Sequence, residues 1–278
     1  MKKSVKFLAV CLAAAAMLSM SACNGGGASS GAASDSSNSG VGTSTLDAIK
    51  KNGFITMSTN AEFEPFEYKD GEKIVGIDLE ISQKIADKLG VELKVNDVAL
   101  DSLIPEITSG KADFVAAGMT ADDERRKNVD FSDSYFDAGQ AVIVKKDGDI
   151  KAPKDLNGKK VGVQTGTTGD KYCTNEEGTS EIKVGSVERY NKGMDAVSDL
   201  IAGRIDAVVI DDFPAQKFVE KNSDKIAKLN DMLTSEQYAI AVKKGNTELV
   251  DLINETLKEM KDSGDLQKIF DKYLAQES

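Results

Sequence analysis

SGKADFVAAGMT (residues 109–120) returns later in the chain as AGRIDAVVIDDF (residues 202–213). Both stretches place a glycine and a basic residue, Gly110-Lys111 and Gly203-Arg204, before an apolar run led by Asp113 or Asp206. Both runs end in polar residues. Apolar runs of this length read as strands buried on both faces, which requires helices on each side of the sheet and so an α/β fold. Ligands of such folds bind beyond the carboxyl ends of the strands. The first run leads into GMTADDERR (residues 118–126), which ends in the adjacent Arg125 and Arg126. A guanidinium there is placed for a ligand.

Working outward, the segments alternate between helix and strand around each copy. STLDAIKKNG reads as a helix capped by Ser or Thr, and FITMSTN as a strand. IDLEISQKIADKLG sets Ile77, Leu79, Ile81, Ile85 and Leu89 along a helical face and stops at Gly90. VELKVNDVA is an alternating strand and SLIPEITSG a short helix. Around the second copy, KKVGVQTG and EIKVGSV read as strands, with TTGDKYCTNEEG opening one helix and RYNKGMDAVSDLIAGR forming another. QAVIVKK leaves the first series and the similar EQYAIAVKKG returns to it, so the two C-terminal helices pack back on the first lobe. Two βα lobes with facing strand ends make a cleft, and paired crossings make a hinge. The expected organisation is lobe 1 from 45–138 and 236–278, and lobe 2 from 139–235.

The composition excludes several chemistries. Among 278 residues there are 46 acidic and 35 basic ones and no histidine. A net charge of −11 disfavours nucleic acid or anionic lipid as a partner. Without histidine there is no Ser-His-Asp or Cys-His nucleophile, HExxH zinc site or histidine base. No P-loop occurs, and the glycines around Gly162–Gly169 do not form a dinucleotide fingerprint. No cofactor and no metal are expected, and the chain is expected to act as a monomer.

Residues 1–22 read as an export signal: Lys2, Lys3 and Lys6 precede FLAVCLAAAAMLSM, an apolar run of about 14 residues, too short to span a bilayer. MSAC, ending at Cys23, resembles the lipobox of bacterial lipoproteins, which implies a lipidated (palmitate-type) Cys23 and anchoring to the outer face of the cell membrane. Met20 stands where leucine is usual. Residues 23–44 form a Gly/Ser-rich linker whose composition cannot bury a core. As a coil of about 22 residues it reaches roughly 25 Å. Cys11 leaves with the signal, so Cys173 is the remaining thiol of the folded part and reads as a partly buried helix residue.

From about Leu46 to Leu274 the sequence resembles the extracytoplasmic solute-binding proteins of polar amino acid ABC importers. The resemblance rests on TNAEFEPFEYKDGEKIVGIDLEI, GMTADDERRKNVDFSDSYF, KDLNGKKVGVQTGTTG and RIDAVVID. It implies a two-lobe periplasmic-binding-protein-like (type II) α/β fold that closes over one free amino acid and delivers it to permease subunits. By motif match Arg125 takes the ligand carboxylate, which calls for a planar, bidentate, permanently charged donor. Arg126 is then a solvated neighbour. Gly118 and Thr120 add contacts from the first lobe. Thr168 offers hydroxyl and amide donors at a helix start, Asp211 meets the ammonium, and Phe63 covers the side chain. Leu100 stands where the family often has a second aromatic. Asn60, Glu62 and Gln164 make a polar pocket for glutamine, a basic amino acid or cystine, with a lean to a basic one because of Glu62.

Plainer roles compete. Arg125 is also placed for an ion pair with Asp122 or Glu124, Asp211 for an N-cap of DFPAQKFVEKN, Phe63 for the core, and Thr167 or Thr168 for a helix cap. At the level of function, a dehydratase-like enzyme on the same fold needs a catalytic acid poised in the cleft. A sensory receptor needs a transmembrane helix and an output domain; the sequence to Ser278 displays no motif for either reading.

Overall fold

The computed structural model describes residues 44–274, apart from 177 and 179. The expected signal, Cys23 and nearly all of the linker lie outside the described residues. The chain opens with α1 (Thr45–Asn52), β1 (Phe54–Thr59) and a meander of β2 (Glu62–Phe63), β3 (Glu67–Asp70) and β4 (Lys73–Val75). Then come α2 (Ile77–Leu89), β5 (Glu92–Asp97), α3 (Leu103–Thr108), β6 (Phe114–Val115) and β7 (Val129–Phe131). β8 (Phe136–Ala138) leads into β9 (Gln140–Lys145), β10 (Lys160–Gln164), α4 (Thr168–Thr174) and β11 (Ser186–Tyr190). α5 (Gly193–Ala202), β12 (Ala207–Asp211), α6 (Asp212–Lys221) and β13 (Ile226–Lys228) follow. β14 (Glu236–Tyr238), β15 (Ala241–Lys243), α7 (Thr247–Ser263) and α8 (Asp265–Leu274) complete the chain.

Two five-stranded sheets share one topology. The first has the order β5-β1-β6-β15-β7 and the second β11-β10-β12-β9-β13. In each, the second strand of the order (β1 or β10) pairs parallel with both its neighbours, and the fourth strand (β15 or β9) is antiparallel to the third. The repeated stretches thus supply the middle strands, β6 and β12. Their leading aspartates do the same job: Asp113 Oδ2 accepts from the Thr56 N–H at 2.8 Å, and Asp206 Oδ2 from the Lys160 N–H at 2.8 Å. In return the Asp113 and Asp206 N–H groups donate to the Thr56 and Lys160 carbonyls. The chain crosses between the sheets at β8 and β14, which pair with each other in a separate two-stranded ladder. The crossing therefore comes before QAVIVKK, and EQYAIAVKKG divides into β14 and β15.

Packing explains the apolar runs. In β12, Val208 and Ile210 face one apolar cluster with Ala196 and Leu200 of α5, while Ala207 and Val209 face another with Leu156 and Cys173. Each valine, leucine or isoleucine among them, fully buried, is worth about 1.5–3 kcal/mol. In the first lobe α2 buries Ile77, Ile81, Ile85 and Leu89 against α7, α8 and the sheet.

Three local expectations change. Leu79 is only partly buried, being two residues and so about 200° round from Ile77, and Asp78 and Ser82 are buried instead. EIKVGSV is a strand only in its last two residues: over Glu181–Gly185 the Gly158 N–H donates to the Lys183 carbonyl and the Gly185 N–H to the Lys159 carbonyl, so this stretch runs beside a turn. Pairing starts at Ser186 and carries Arg189 and Tyr190 out of the expected helix. Ser44 precedes α1 but donates its hydroxyl to Glu248 Oε2 at 2.5 Å rather than capping the helix.

Candidate functional site

The ends of β6 and β12 face each other across the cleft. On the first lobe, Gly118 has φ +48°, and a Cβ there would lie 2.6 Å from the Phe63 ring. Glycine is required both for the left-handed backbone and for that close approach. The Gly118 N–H is held by Asp78 Oδ2 at 2.7 Å, and Tyr135 donates to Asp78 Oδ1 at 2.7 Å. Burial pushes Asp78 up to about 6 despite these bonds. Glu67 beside it is raised well above the usual carboxylate range, by burial and then by Asp78. This buried acid pair braces the floor under Gly118.

Arg125 begins a short 3-10 turn whose backbone N–H is fixed by Asp122 Oδ1 at 2.7 Å. The residue is 8% exposed. One terminal nitrogen donates to the Thr120 carbonyl at 2.8 Å and the other to the Gly166 carbonyl, on the second lobe, at 3.2 Å. Each terminal nitrogen carries two hydrogens, so one on each remains for a ligand. The ion pair with Asp122 exists, but only at 3.7 Å through Nε. Arg126 is exposed, donates to the Ala121 carbonyl and lies 5.2 Å from the centre of the Phe131 ring.

On the second lobe, Thr167 caps α4 by accepting from the Asp170 N–H at 3.1 Å, and both Thr167 and Thr168 line the cavity. The Thr168 hydroxyl gives its hydrogen to Glu236 Oε2 at 2.8 Å, so towards the cavity it is an acceptor rather than the expected donor. Asp211 stands at the N-cap position of α6 but makes no capping bond. Its Oδ1 instead accepts from the Tyr238 hydroxyl at 2.5 Å. Burial and then Glu236 push Asp211 up to about 7, against the pull of Tyr238, Gln140 and Arg125.

Seven of the nine sequence-predicted ligand residues line one cavity: Phe63, Leu100, Gly118, Thr120, Arg125, Thr168 and Asp211. The cavity is about 20 Å³, room for about one water. Asn60 and Gln164 are outside its lining. They hydrogen-bond to each other across the cleft at 3.2 Å, while Asn60 also donates to the Val98 carbonyl and Gln164 to that of Asn191. Glu62 does not join them, because Lys192 holds it in an ion pair at the rim. A larger concavity of about 840 Å³ is an open groove beside the crossing strands, walled by Asp133, Asp137 and Gln237. The small cavity is the better site, since the facing charges of Arg125 and Asp211 meet there.

The sequence reading missed Glu236. Its Oε2 takes hydrogen bonds from Thr120 at 2.7 Å and Thr168 at 2.8 Å, and its Oε1 one from Thr234 at 2.6 Å. It also missed Tyr238 and Asp78. Nothing local marks these positions, because their partners lie far along the chain.

Ion pairs bind the rims together. Lys171 meets Asp122 at 2.8 Å and Glu124 at 2.7 Å, Lys192 meets Glu62, and Lys221 meets Glu64. No helix among the described residues is long and apolar enough to cross a membrane.

The chain is 38% identical over 225 residues to the arginine-binding extracellular protein ArtP of Bacillus subtilis (strain 168), covering 80% of this chain and 87% of that one. It is 31% identical over 231 residues to the L-cystine-binding protein TcyJ of Escherichia coli (strain K12), covering 82% and 85% respectively. Among solved structures, a mutant of ArgBP from T. maritima superposes with a TM-score of 0.77 at 44% identity, covering 83% of this chain and 99% of that one. These relatives are binding proteins by name, and their two-lobe type II architecture is that of the paired sheets here. Residues 55–276 match the model of the bacterial extracellular solute-binding proteins, family 3, and the chain belongs to that family.

Proposed function

We propose that the cleft captures a free polar L-amino acid, with a lean to a basic one, and delivers it to the permease subunits of an ABC importer. The observation that carries this reading is that Arg125 and Asp211, from opposite lobes, line the same cavity. A free amino acid presents a carboxylate and an ammonium at fixed spacing, which these two groups complement. Phe63 and Leu100 are the apolar walls for the side chain. Uptake requires the lobes to part, since about 20 Å³ does not admit an amino acid. Residues 45–138 with 236–278 move as one body and 139–235 as the other, about the crossings at β8 and β14.

Support for a basic ligand comes from hydrogen-bond polarity and not from Glu62. Both amide hydrogens of Gln164 are committed, to Asn60 Oδ1 and the Asn191 carbonyl, and one of Asn60's to the Val98 carbonyl, so the pair has more acceptor than donor capacity left for an arriving group. Oxygens suit a guanidinium, an ammonium or an amide N–H. The relatives named for arginine agree. A thermal-shift screen tests the assignment: a ligand at 100 times its Kd adds ~2.7 kcal/mol of stability. A shift is expected with at least one of arginine, lysine, histidine, glutamine or cystine. Shifts confined to sugars, peptides or dicarboxylates would overturn it.

We also propose that Cys23 carries the lipid that holds an exported, monomeric protein at the outer face of the membrane. Cys23→Ser should move the protein from the membrane fraction to the soluble one. Undiminished membrane association would sink the anchor.

A further inference from the structure

We infer that Glu236 is a positioning residue that makes the ammonium end of the cleft an all-acceptor surface by taking the hydroxyl hydrogens of Thr120 and Thr168. This inference rests on the amino acid reading above. Glu236 is 9% exposed and stands in β14, one of the two crossing strands. It does not line the small cavity, whereas both threonines do; all three also border the larger groove beside the crossing strands. A threonine hydroxyl has one hydrogen and two lone pairs. Thr120 and Thr168 each give that hydrogen to Glu236 Oε2, at 2.7 and 2.8 Å. Gln140 Nε2 donates to Thr168 Oγ1 at 2.9 Å and so occupies one of its lone pairs. What remains for the cavity is acceptor capacity on both hydroxyls, beside the Asp211 carboxyl. An ammonium has three donors and no acceptor, so three acceptors on Thr120, Thr168 and Asp211 fit it. Without an acceptor behind them, the hydroxyls would be free to turn their hydrogens towards the ammonium, which repels them. The same site therefore discriminates against a ligand whose α-substituent is an acceptor. Because Glu236 holds one threonine from each lobe, this polarity is assembled only when the lobes meet.

The test compares an amino acid with the molecule lacking only its ammonium. Binding of L-arginine and of des-amino arginine is measured by calorimetry on the parent, Glu236→Met and Glu236→Gln. L-glutamine and its des-amino analogue replace them if the parent binds glutamine and not arginine. Methionine removes the acceptor, so the amino acid should bind about 10-fold to 100-fold more weakly, while the des-amino analogue changes by less than about threefold. Glu236→Gln, whose amide oxygen can stand where Oε2 stands, should fall between parent and Glu236→Met. Equal weakening of both ligands in Glu236→Met would show a merely structural role and overturn the inference, and so would unchanged amino acid binding. A Glu236→Gln loss as large as that of Glu236→Met would overturn it in favour of charge alone. If Glu236→Met does not fold, Thr120→Val, which deletes one of the oriented hydroxyls, should produce the same selective loss, and equal weakening of both ligands would again overturn it. A parent protein that binds no amino acid refutes the functional reading instead, and this inference with it.

Discussion

Arg125→Ala is expected to weaken amino acid binding by roughly 30-fold to several thousand-fold, and Arg126→Ala by less than about tenfold. The two neighbours differ in what surrounds them. Arg125 is buried and oriented by three oxygen partners on two lobes, with one hydrogen on each terminal nitrogen left for a carboxylate. Truncating one side of a desolvated charge pair costs ~2–5 kcal/mol, much of it from stranding the other charge. At ~1.4 kcal/mol per decade this gives the stated range. Arg125→Lys should not recover the loss, because a point charge cannot reproduce the bidentate fork. Arg126 is exposed and rests on the Phe131 ring, so its loss stays within ~1 kcal/mol. Calorimetry on folded variants decides, and an Arg125→Ala protein with parental affinity would return the arginine pair to the status of surface charge.

Asp211 gives the second large effect, and it depends on pH. Its carboxyl is held at about 7 in the folded protein, against 3.8 for an ordinary aspartate, by burial and then by Glu236. A carboxyl raised in this way binds its proton more tightly folded than unfolded. The stability linked to it is fully present below about pH 4 and is lost as pH rises towards 7. Ligand binding has the opposite sign, because the ammonium needs the ionised form. Affinity should therefore climb by up to about tenfold per pH unit below 7 and level off above it, with a proton released on binding in the rising range. Asp211→Asn should bind about 30-fold or more weakly at pH 8 and lose this dependence. The measurement is calorimetry from pH 5.5 to 8.5 in buffers of different ionisation enthalpy. A flat profile in the parent would remove Asp211 from the ammonium site.

What the sequence disclosed was whatever is written in consecutive residues. The two middle strands could be paired by eye because Asp113 and Asp206 each brace the start of a neighbouring strand, a local demand that leaves a local pattern. Arg125, Thr168 and Asp211 were legible through the motifs around them. Glu236 was not, since Thr120 lies 116 residues away and EQY reads as ordinary strand. Asn60 and Gln164 were placed in one neighbourhood, but that they would bond to each other depended on the closed arrangement of the lobes. Glu62 failed because its partner Lys192 belongs to the opposite rim. The strand expected over Glu181–Val187 begins only at Ser186, for a related reason. Its alternation was genuine, yet the backbone it met first was the turn at Gly158–Lys159.

The rim ion pairs all have one polarity. Glu62, Glu64, Asp122 and Glu124 belong to the first lobe, and Lys171, Lys192 and Lys221 to the second. A duplicated architecture thus has lips of opposite charge. Apart, they form an electric dipole across the mouth, with an acidic and a basic edge bare to solvent. Together, they cancel into a nearly neutral seam. Whether the cleft is open or shut is therefore written on the outside of the molecule as a charge pattern, legible to a partner that never reaches the cavity.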